Sequence, residues 1–194
     1  MEPLRIAPGQ LGLVDIRRLW SERLPIAIDP QAKTVVDAAA RTVEDLIASG
    51  KSVYGVNTGF GLLARTRIDD TRLAELQRAL VLSHSAGTGS LLDDNVVRLV
   101  IALKVASLAR GHSGVRWSVI EALVALANSN VVPCIPAQGS VGASGDLAPL
   151  AHLTGVLIGE GEARIDGVVM AARAALARAG LQPGALRPKE GVAL

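Results

Sequence analysis

The chain has 194 residues, of which 49% are hydrophobic and only 2% aromatic, so it can bury a core built from Ala, Val, Leu and Ile. Its 20 basic and 18 acidic residues leave a net charge of +2 and are dispersed along the chain, which argues against a nucleic-acid partner. The single cysteine, Cys134, excludes an internal disulfide and indicates a reducing, cytoplasmic location.

Two stretches bear on a membrane partner, and both argue against one. The N-terminal MEPLRIAPGQ has no apolar core of the kind that a signal peptide needs. Residues 122–145 carry no charge over a length that could span a bilayer, but asparagines, prolines and glycines interrupt them. We therefore expect a soluble chain.

Apolar positions at helical spacing predict six helices. The first follows Asp29-Pro30 and ends at Ser49-Gly50, where two turn-forming residues stop the pattern. The other five run, in chain order, from Asp69-Asp70 to His84, Asp93 to Arg110, Val115 to Ala127, Leu147 to Ile158, and over residues 171–179. The helix from Asp93 to Arg110 is apolar around most of its circumference, which indicates burial on several sides.

The segments between these helices are predicted to be loops, with one exception. Residues 51–61, KSVYGVNTGFG, contain three glycines and an asparagine and are typical of a loop. Residues 163–170, ARIDGVVM, place Asp-Gly between apolar pairs, which predicts a β-hairpin. The tail after residue 179 has the composition of a loop. The predicted fold class is mainly α with a small β-hairpin, and we find no repeat or linker.

The charge-poor run at residues 139–152, GSVGASGDLAPLAH, has three chemical interpretations. Ser144 could be a hydrolase nucleophile, but the run does not match G-x-S-x-G, and no strand clearly precedes it. The glycine-rich backbone before a helix could bind an anion, although no phosphate-loop Gly-Lys-Ser/Thr is present. In the third interpretation, Ala143-Ser144-Gly145 is itself the reagent.

That third interpretation gives each residue of the triplet a reason. Attack of the Gly145 nitrogen on the Ala143 carbonyl carbon closes a five-membered ring, and loss of water makes an imidazolone. Loss of the Ser144 hydroxyl then leaves an exocyclic methylidene. Gly145 lacks a Cβ where the backbone must bend tightly, Ala143 is small, and Ser144 has a hydroxyl that can leave.

With YGVNTGFG at 54–61 and SHSAG at 83–87, this run closely resembles the histidine and aromatic amino acid ammonia-lyase family over essentially the whole chain. The resemblance implies the N-terminal part of the fumarase/aspartase-like ammonia-lyase fold and a 4-methylidene-imidazol-5-one group, MIO, formed from Ala143, Ser144 and Gly145. Family members are much longer homotetramers with active sites shared between subunits. Residues 1–194 are therefore expected to be one N-terminal segment, without the central helical bundle and inactive alone.

The resemblance also assigns a base and a substrate-reading dipeptide. Tyr54, the only tyrosine, matches the base that removes a β-proton, a task that requires the phenolate of a group whose ordinary pKa is about 10. Ser83-His84 matches the dipeptide that reads the substrate side chain, and in the family Ser-His accompanies histidine. The implied reaction is elimination of ammonia from L-histidine to give trans-urocanate.

Further residues are assigned by their place in these motifs. Asn57 and Gly61 belong to the loop that would line the pocket, and Asp146 is expected to cap the helix that follows the triplet. We interpret His112 and His152 as structural. The three histidines have no ligand-type spacing with one another or with Cys134, so no metal site is predicted.

Two other functions stay open at this point. The chain could belong to another MIO enzyme, a tyrosine ammonia-lyase or an aromatic aminomutase, for which Ser83-His84 is the wrong dipeptide. It could instead be a non-catalytic fragment or a partner subunit that keeps the fold and supplies a pocket wall. Intact mass separates the last case, because an MIO-bearing chain is lighter by two waters.

Overall fold

The computed structural model describes residues 2–142 and 145–194. Within them the chain is mainly helical with short strands between the helices, as the sequence predicts. The helices are α1 (Leu13–Glu22), α2 (Ala32–Ala48), α3 (Leu73–His84), α4 (Asp94–Leu108), α5 (Trp117–Asn128), α6 (Leu147–Leu157), α7 (Ala172–Arg178) and α8 (Glu190–Ala193). The strands are β1 (Leu4–Ile6), β2 (Ile26–Ile28), β3 (Thr88–Leu91), β4 (Val132–Pro133), β5 (Pro136–Gln138), β6 (Glu162–Ile165) and β7 (Val168–Ala171).

Helices α2 to α7 lie where the sequence predicts helices, with ends shifted by a few residues. Before α3, a single 3₁₀ turn forms at Asp70–Arg72. Asp69 caps this turn, since its Oδ1 accepts the N–H of Thr71 at 2.9 Å. The predicted acidic start of this helix is thus confirmed, although the first turn is tighter than an α-helix.

Helix α4 forms the centre of the hydrophobic core. Val97, Ile101, Val105 and Leu108 are buried along one stripe at helical spacing, and both α1 and α5 pack against this helix. Strands β2 and β4 also contact α4, which confirms the predicted burial on several sides, while Leu103 on another side is 43% exposed. One apolar face of α4 is therefore not covered by the described residues.

The described residues form three small sheets, two of which join distant parts of the chain. Strand β1 runs parallel to β2, with Leu4 opposite Ile26. Strand β3 runs antiparallel to β5, with Thr88 opposite Gln138. The second pairing matters for function, because it joins the segment after α3 to the segment before α6.

The third sheet contains the predicted hairpin. Strands β6 and β7 pair antiparallel around Asp166 and Gly167, which have φ values of 51° and 78°. Two successive positive φ angles are what a two-residue hairpin turn of type I′ requires, and Asp-Gly supplies them. Strand β4 adds to the free edge of β6, with Val132 opposite Arg164.

The N-terminal region and the C-terminal tail differ from the sequence-based expectation. Residues 13–22 form helix α1, in which only Leu19 is buried, and this helix is not among those predicted from the sequence. The tail, expected to be a loop, contains the short helix α8. Its first residue, Glu190, is buried and makes its ionic contacts with a distant part of the chain, which no local pattern could predict.

The remaining features narrow the search for a functional site. Among residues 2–142 and 145–194, no helix is both long and apolar enough to cross a lipid bilayer. The same residues contain no group of three His, Cys, Asp or Glu side chains arranged to hold a metal ion. Cys134 is buried, and its burial raises the pKa of the thiol, which makes it a poor nucleophile.

Candidate active site

Residues from distant parts of the chain line one cleft of about 670 Å³. The loop after α2 contributes Tyr54, the end of α3 contributes His84, and the segment before α6 contributes Gly145. Helix α8 forms another wall with Gly191 and Val192. The structure therefore brings together one residue from each of the three motifs that the sequence analysis selected.

Tyr54 stands at the edge of this cleft with its side chain 63% exposed. Its ring meets that of Phe60 edge-on, with centroids 5.7 Å apart and planes at 75°, a favourable aromatic geometry. Gly55 has a φ of 73°, and a Cβ there would lie 3.8 Å from the Val192 side chain. The loop thus needs glycine for its conformation, and it presents the phenol without packing it into the core.

The Asn57 side chain stabilises the same loop through two hydrogen bonds to its backbone. It is fully buried; its Oδ1 accepts the Val53 N–H at 2.8 Å, and its Nδ2 donates to the Lys51 carbonyl at 2.9 Å. Asn57 is not among the described residues that line the cleft, whereas Gly61, with a φ of 57°, is. The predicted contact of Asn57 with a substrate stays a prediction, and its observed contacts shape the loop.

His84 is the last residue of α3, and its hydrogen bonds define its tautomer. The ring Nδ1 lies 2.8 Å from the Leu80 carbonyl oxygen. Since a carbonyl oxygen only accepts, Nδ1 must donate, and the neutral ring keeps Nε2 as an acceptor. Ser83 donates its hydroxyl to the same carbonyl at 2.9 Å and is not among the described residues that line the cleft.

Ala143 and Ser144 lie outside the described residues, so the fit of an MIO group is judged from their neighbours. Gly142 and Gly145 have φ values of 69° and 123°, conformations that favour glycine, and a Cβ at either would meet no atom of the described residues within 4 Å. Gly145 also faces the cleft that holds Tyr54 and His84. The backbone conformation of these two glycines, and the open space at each, fit a ring built from residues 143–145.

Asp146 occupies the N-cap position of α6, but, contrary to our prediction, its carboxylate does not cap the helix. Its backbone, with φ −91° and ψ 71°, departs from the extended conformation usual at an N-cap. The carboxylate instead accepts a hydrogen bond from the Ser140 hydroxyl. This bond joins the two ends of the segment that contains the triplet.

Lys104 is a cleft residue that the sequence reasoning missed. It lines the cleft from α4, and the described residues give its ammonium group no ion pair. Burial lowers the pKa of Lys104, since the charged form loses hydration. The available signal was a single lysine within the otherwise apolar run LVIALKVA at residues 99–106.

The sequence matches a known family over nearly its whole length. The model of the aromatic amino acid lyase family covers residues 11–194. A histidine ammonia-lyase of Salmonella arizonae is 55% identical over 194 residues, which are 100% of this chain and 38% of that protein. The chain belongs to the aromatic amino acid lyase family.

Solved structures with the same fold include enzymes of two kinds. Histidine ammonia-lyase from Trypanosoma cruzi is 34% identical with a TM-score of 0.91, covering 100% of this chain and 37% of that one. Tyrosine aminomutase from Streptomyces globisporus is 34% identical with a TM-score of 0.90, covering 99% and 36%. The likeness thus confirms the expected ammonia-lyase fold, and the chain spans 38% of the length of the curated relatives it matches.

Proposed function

We propose that this chain is the N-terminal segment of an enzyme that eliminates ammonia from L-histidine to give trans-urocanate, the first step of histidine degradation. The observation that carries the proposal is the convergence of Tyr54, His84 and Gly145 on one cleft. The 55% identity to proteins named histidine ammonia-lyase supports this choice of substrate.

The contacts of His84 support recognition of an imidazole. Its Nδ1 is committed to the Leu80 carbonyl, so Nε2 of the neutral ring is available as an acceptor. A substrate imidazole offers a matching N–H donor, whereas a phenyl side chain offers none. A site built to satisfy this acceptor disfavours a substrate that leaves it without a partner.

Ala143, Ser144 and Gly145 would supply the cofactor from the chain itself by forming MIO with the loss of two waters. When present, this group supplies the electrophilic carbon that activates the amino group of the substrate as a leaving group. The backbone at the start of α6 would contribute to this chemistry. Helix α6 begins directly after the segment, so the partial positive charge of its N-terminus favours electron withdrawal there.

Tyr54 is proposed to remove the β-proton. Its phenol lines the cleft and is 63% exposed, so a bound substrate can approach the oxygen without rearrangement of the core. A positioned general base of this kind contributes roughly 10²–10⁴ to the rate of proton transfer. The edge contact with Phe60 holds the ring and leaves the hydroxyl free to react.

The surroundings of the cleft support a homotetramer in which subunits share active sites. Leu62, Val141 and Leu147 are 104%, 84% and 52% exposed, and Leu147 lines the cleft. Large apolar side chains with this much exposure favour cover by further protein. We therefore propose that residues 1–194 are inactive alone. The single cysteine, Cys134, supports a cytoplasmic location.

The test uses the full-length protein with L-histidine and L-tyrosine as substrates in parallel. We expect ammonia and urocanate from histidine, and an intact mass two waters below that of the unmodified chain. Ser144→Ala should not lose the second water and should lose turnover, because without the hydroxyl no methylidene can form. Coumarate from tyrosine would favour the tyrosine ammonia-lyase alternative. Near-normal ammonia release by Ser144→Ala would overturn the mechanism.

A further inference from the structure

His152 makes a long-range contact that its sequence position does not reveal. It lies in the second turn of α6, and its Nε2 accepts the backbone N–H of Gly87 at 3.1 Å. Accepting at Nε2 places the proton of the neutral ring on Nδ1. Burial lowers the pKa of His152, which favours this neutral, accepting form.

The backbone of Gly87 is enclosed on several sides at this contact. A Cβ on Gly87 would lie 3.1 Å from the His152 Nε2, 3.2 Å from the Pro136 Cβ and 3.3 Å from the Gln138 carbonyl oxygen. A Cβ on Gly139 would lie only 3.1 Å from the Gly87 Cα. The two loops therefore pack backbone to backbone, which only glycine at both positions permits without displacement.

The chain connectivity gives this junction a role in the cleft. Gly87 lies three residues after His84, and the strand that follows it pairs with β5. Gly139 follows β5 directly and begins the segment that leads to the triplet and α6. His152 then returns from α6 to Gly87. The end of α3 and the triplet segment are thus held together by a strand pairing on one side and by His152 on the other.

We propose that His152 is a positioning residue of the candidate site, holding the segment that carries Ser83 and His84 in register with the triplet segment. The inference rests on the proposed function, because the relative position of these two segments matters for catalysis only if both belong to the lyase site. His152 acts through the Gly87 amide and does not need to touch the substrate. Without it, a half-buried N–H loses its partner, and the end of α3 gains freedom to shift.

The experiment compares His152→Leu with His152→Gln in the full-length protein. Glutamine can place an amide oxygen near the position of Nε2, whereas leucine offers no acceptor. The readouts are KM and kcat for L-histidine, measured separately, and hydrogen exchange of the peptide containing the Gly87 amide. We expect His152→Leu to raise KM roughly three- to tenfold and to speed exchange at Gly87, with glutamine restoring both to within about twofold.

A matched control and a second variant keep the test decisive. His112 is exposed, so His112→Leu should change neither readout. Gly87→Ala leaves the imidazole intact but places a methyl group against it, and it should raise KM even if His152→Leu fails to fold. Wild-type KM in folded His152→Leu or Gly87→Ala would overturn the proposal, as would equal losses in the leucine and glutamine variants.

The same measurements separate this proposal from the proposed function. If the wild-type protein releases no ammonia from histidine, the proposed function fails. Exchange at Gly87 then still decides whether His152 holds the segment. If the wild type is active and exchange at Gly87 is unchanged in folded His152→Leu, the positioning role fails and the lyase activity stands.

Discussion

The Glu190 carboxylate accepts two charge-assisted hydrogen bonds from the Arg116 guanidinium, at 2.8 Å from Nε and 2.7 Å from Nη2. It also accepts the backbone N–H groups of Arg116 and Arg187, at 3.1 and 2.6 Å. Glu190 is 1% exposed, and its hydrogen bonds raise the pKa of Arg116. This cluster attaches α8, which forms one wall of the cleft, to the start of α5.

Glu190→Ala should therefore destabilise the fold by about 3 kcal/mol, because it leaves Arg116 and two backbone donors without their acceptor. Chemical denaturation of the 194-residue chain measures this loss. Glu44→Ala is the matched control: that carboxylate pairs with Arg187 at 3.1 Å but is 56% exposed, so its loss should cost less than about 1 kcal/mol. Equal costs would contradict the importance of burial.

Tyr54→Phe tests the base in the full-length protein. The change removes only the hydroxyl and keeps the edge contact with Phe60, so kcat should fall by at least about 100-fold. Thermal unfolding should stay nearly unchanged, because the Tyr54 side chain is 63% exposed. Turnover close to that of the wild type would clear Tyr54 of this role.

Lys104→Met tests whether the buried ammonium group of Lys104 lowers the free energy of unfolding. Burial lowers the pKa of Lys104, so the folded state disfavours the ammonium that the unfolded state keeps at neutral pH. A neutral side chain of similar length should raise the stability of the 194-residue chain by roughly 0.5–2 kcal/mol. Lys51→Met, at an exposed lysine, should change it by less than about 0.5 kcal/mol. Destabilisation by Lys104→Met would show that the ammonium has a stabilising contact.

His152 should make stability depend on pH in the mildly acidic range. Burial lowers its pKa below the ordinary value, so above about pH 6.5 both folded and unfolded chains hold it neutral, and no cost arises. As the pH falls below that value, the unfolded chain takes up the proton first, and the free energy of unfolding decreases.

Comparison with His152→Gln isolates this contribution. We expect the wild type to lose more stability than the variant between about pH 7.5 and about pH 5, since glutamine does not titrate in this range. Denaturant titrations at several pH values measure the difference and cancel the contributions of the other two histidines. Parallel pH profiles would show that His152 is not protonated on unfolding.

Much of the helical framework could be predicted because its signals are local. In α4, the buried residues Val97, Ile101 and Val105 recur every four positions, and this spacing is visible in the sequence. The hairpin was equally readable, since Asp166 and Gly167 adopt positive φ angles that few residue pairs tolerate together.

The short strands and α8 could not be predicted in this way. Strands β1 and β2 have three residues each, too few to show a period, and their pairing joins Leu4 to Ile26. Helix α8 has four residues and no helical stability of its own. Its position depends on the contacts of Glu190 with Arg116, 74 residues away.

For the candidate site, the sequence by itself determined the chemical parts: a lone tyrosine in a glycine-rich loop, a Ser-His dipeptide and an Ala-Ser-Gly triplet before a helix. Only the tertiary structure decided that Tyr54, His84 and Gly145 share a cleft with Lys104. It also decided that His152 meets an amide 65 residues away. The physical reason is that residue type and backbone preference act over a few neighbouring positions, whereas a cleft is made by side chains and backbones that packing brings together.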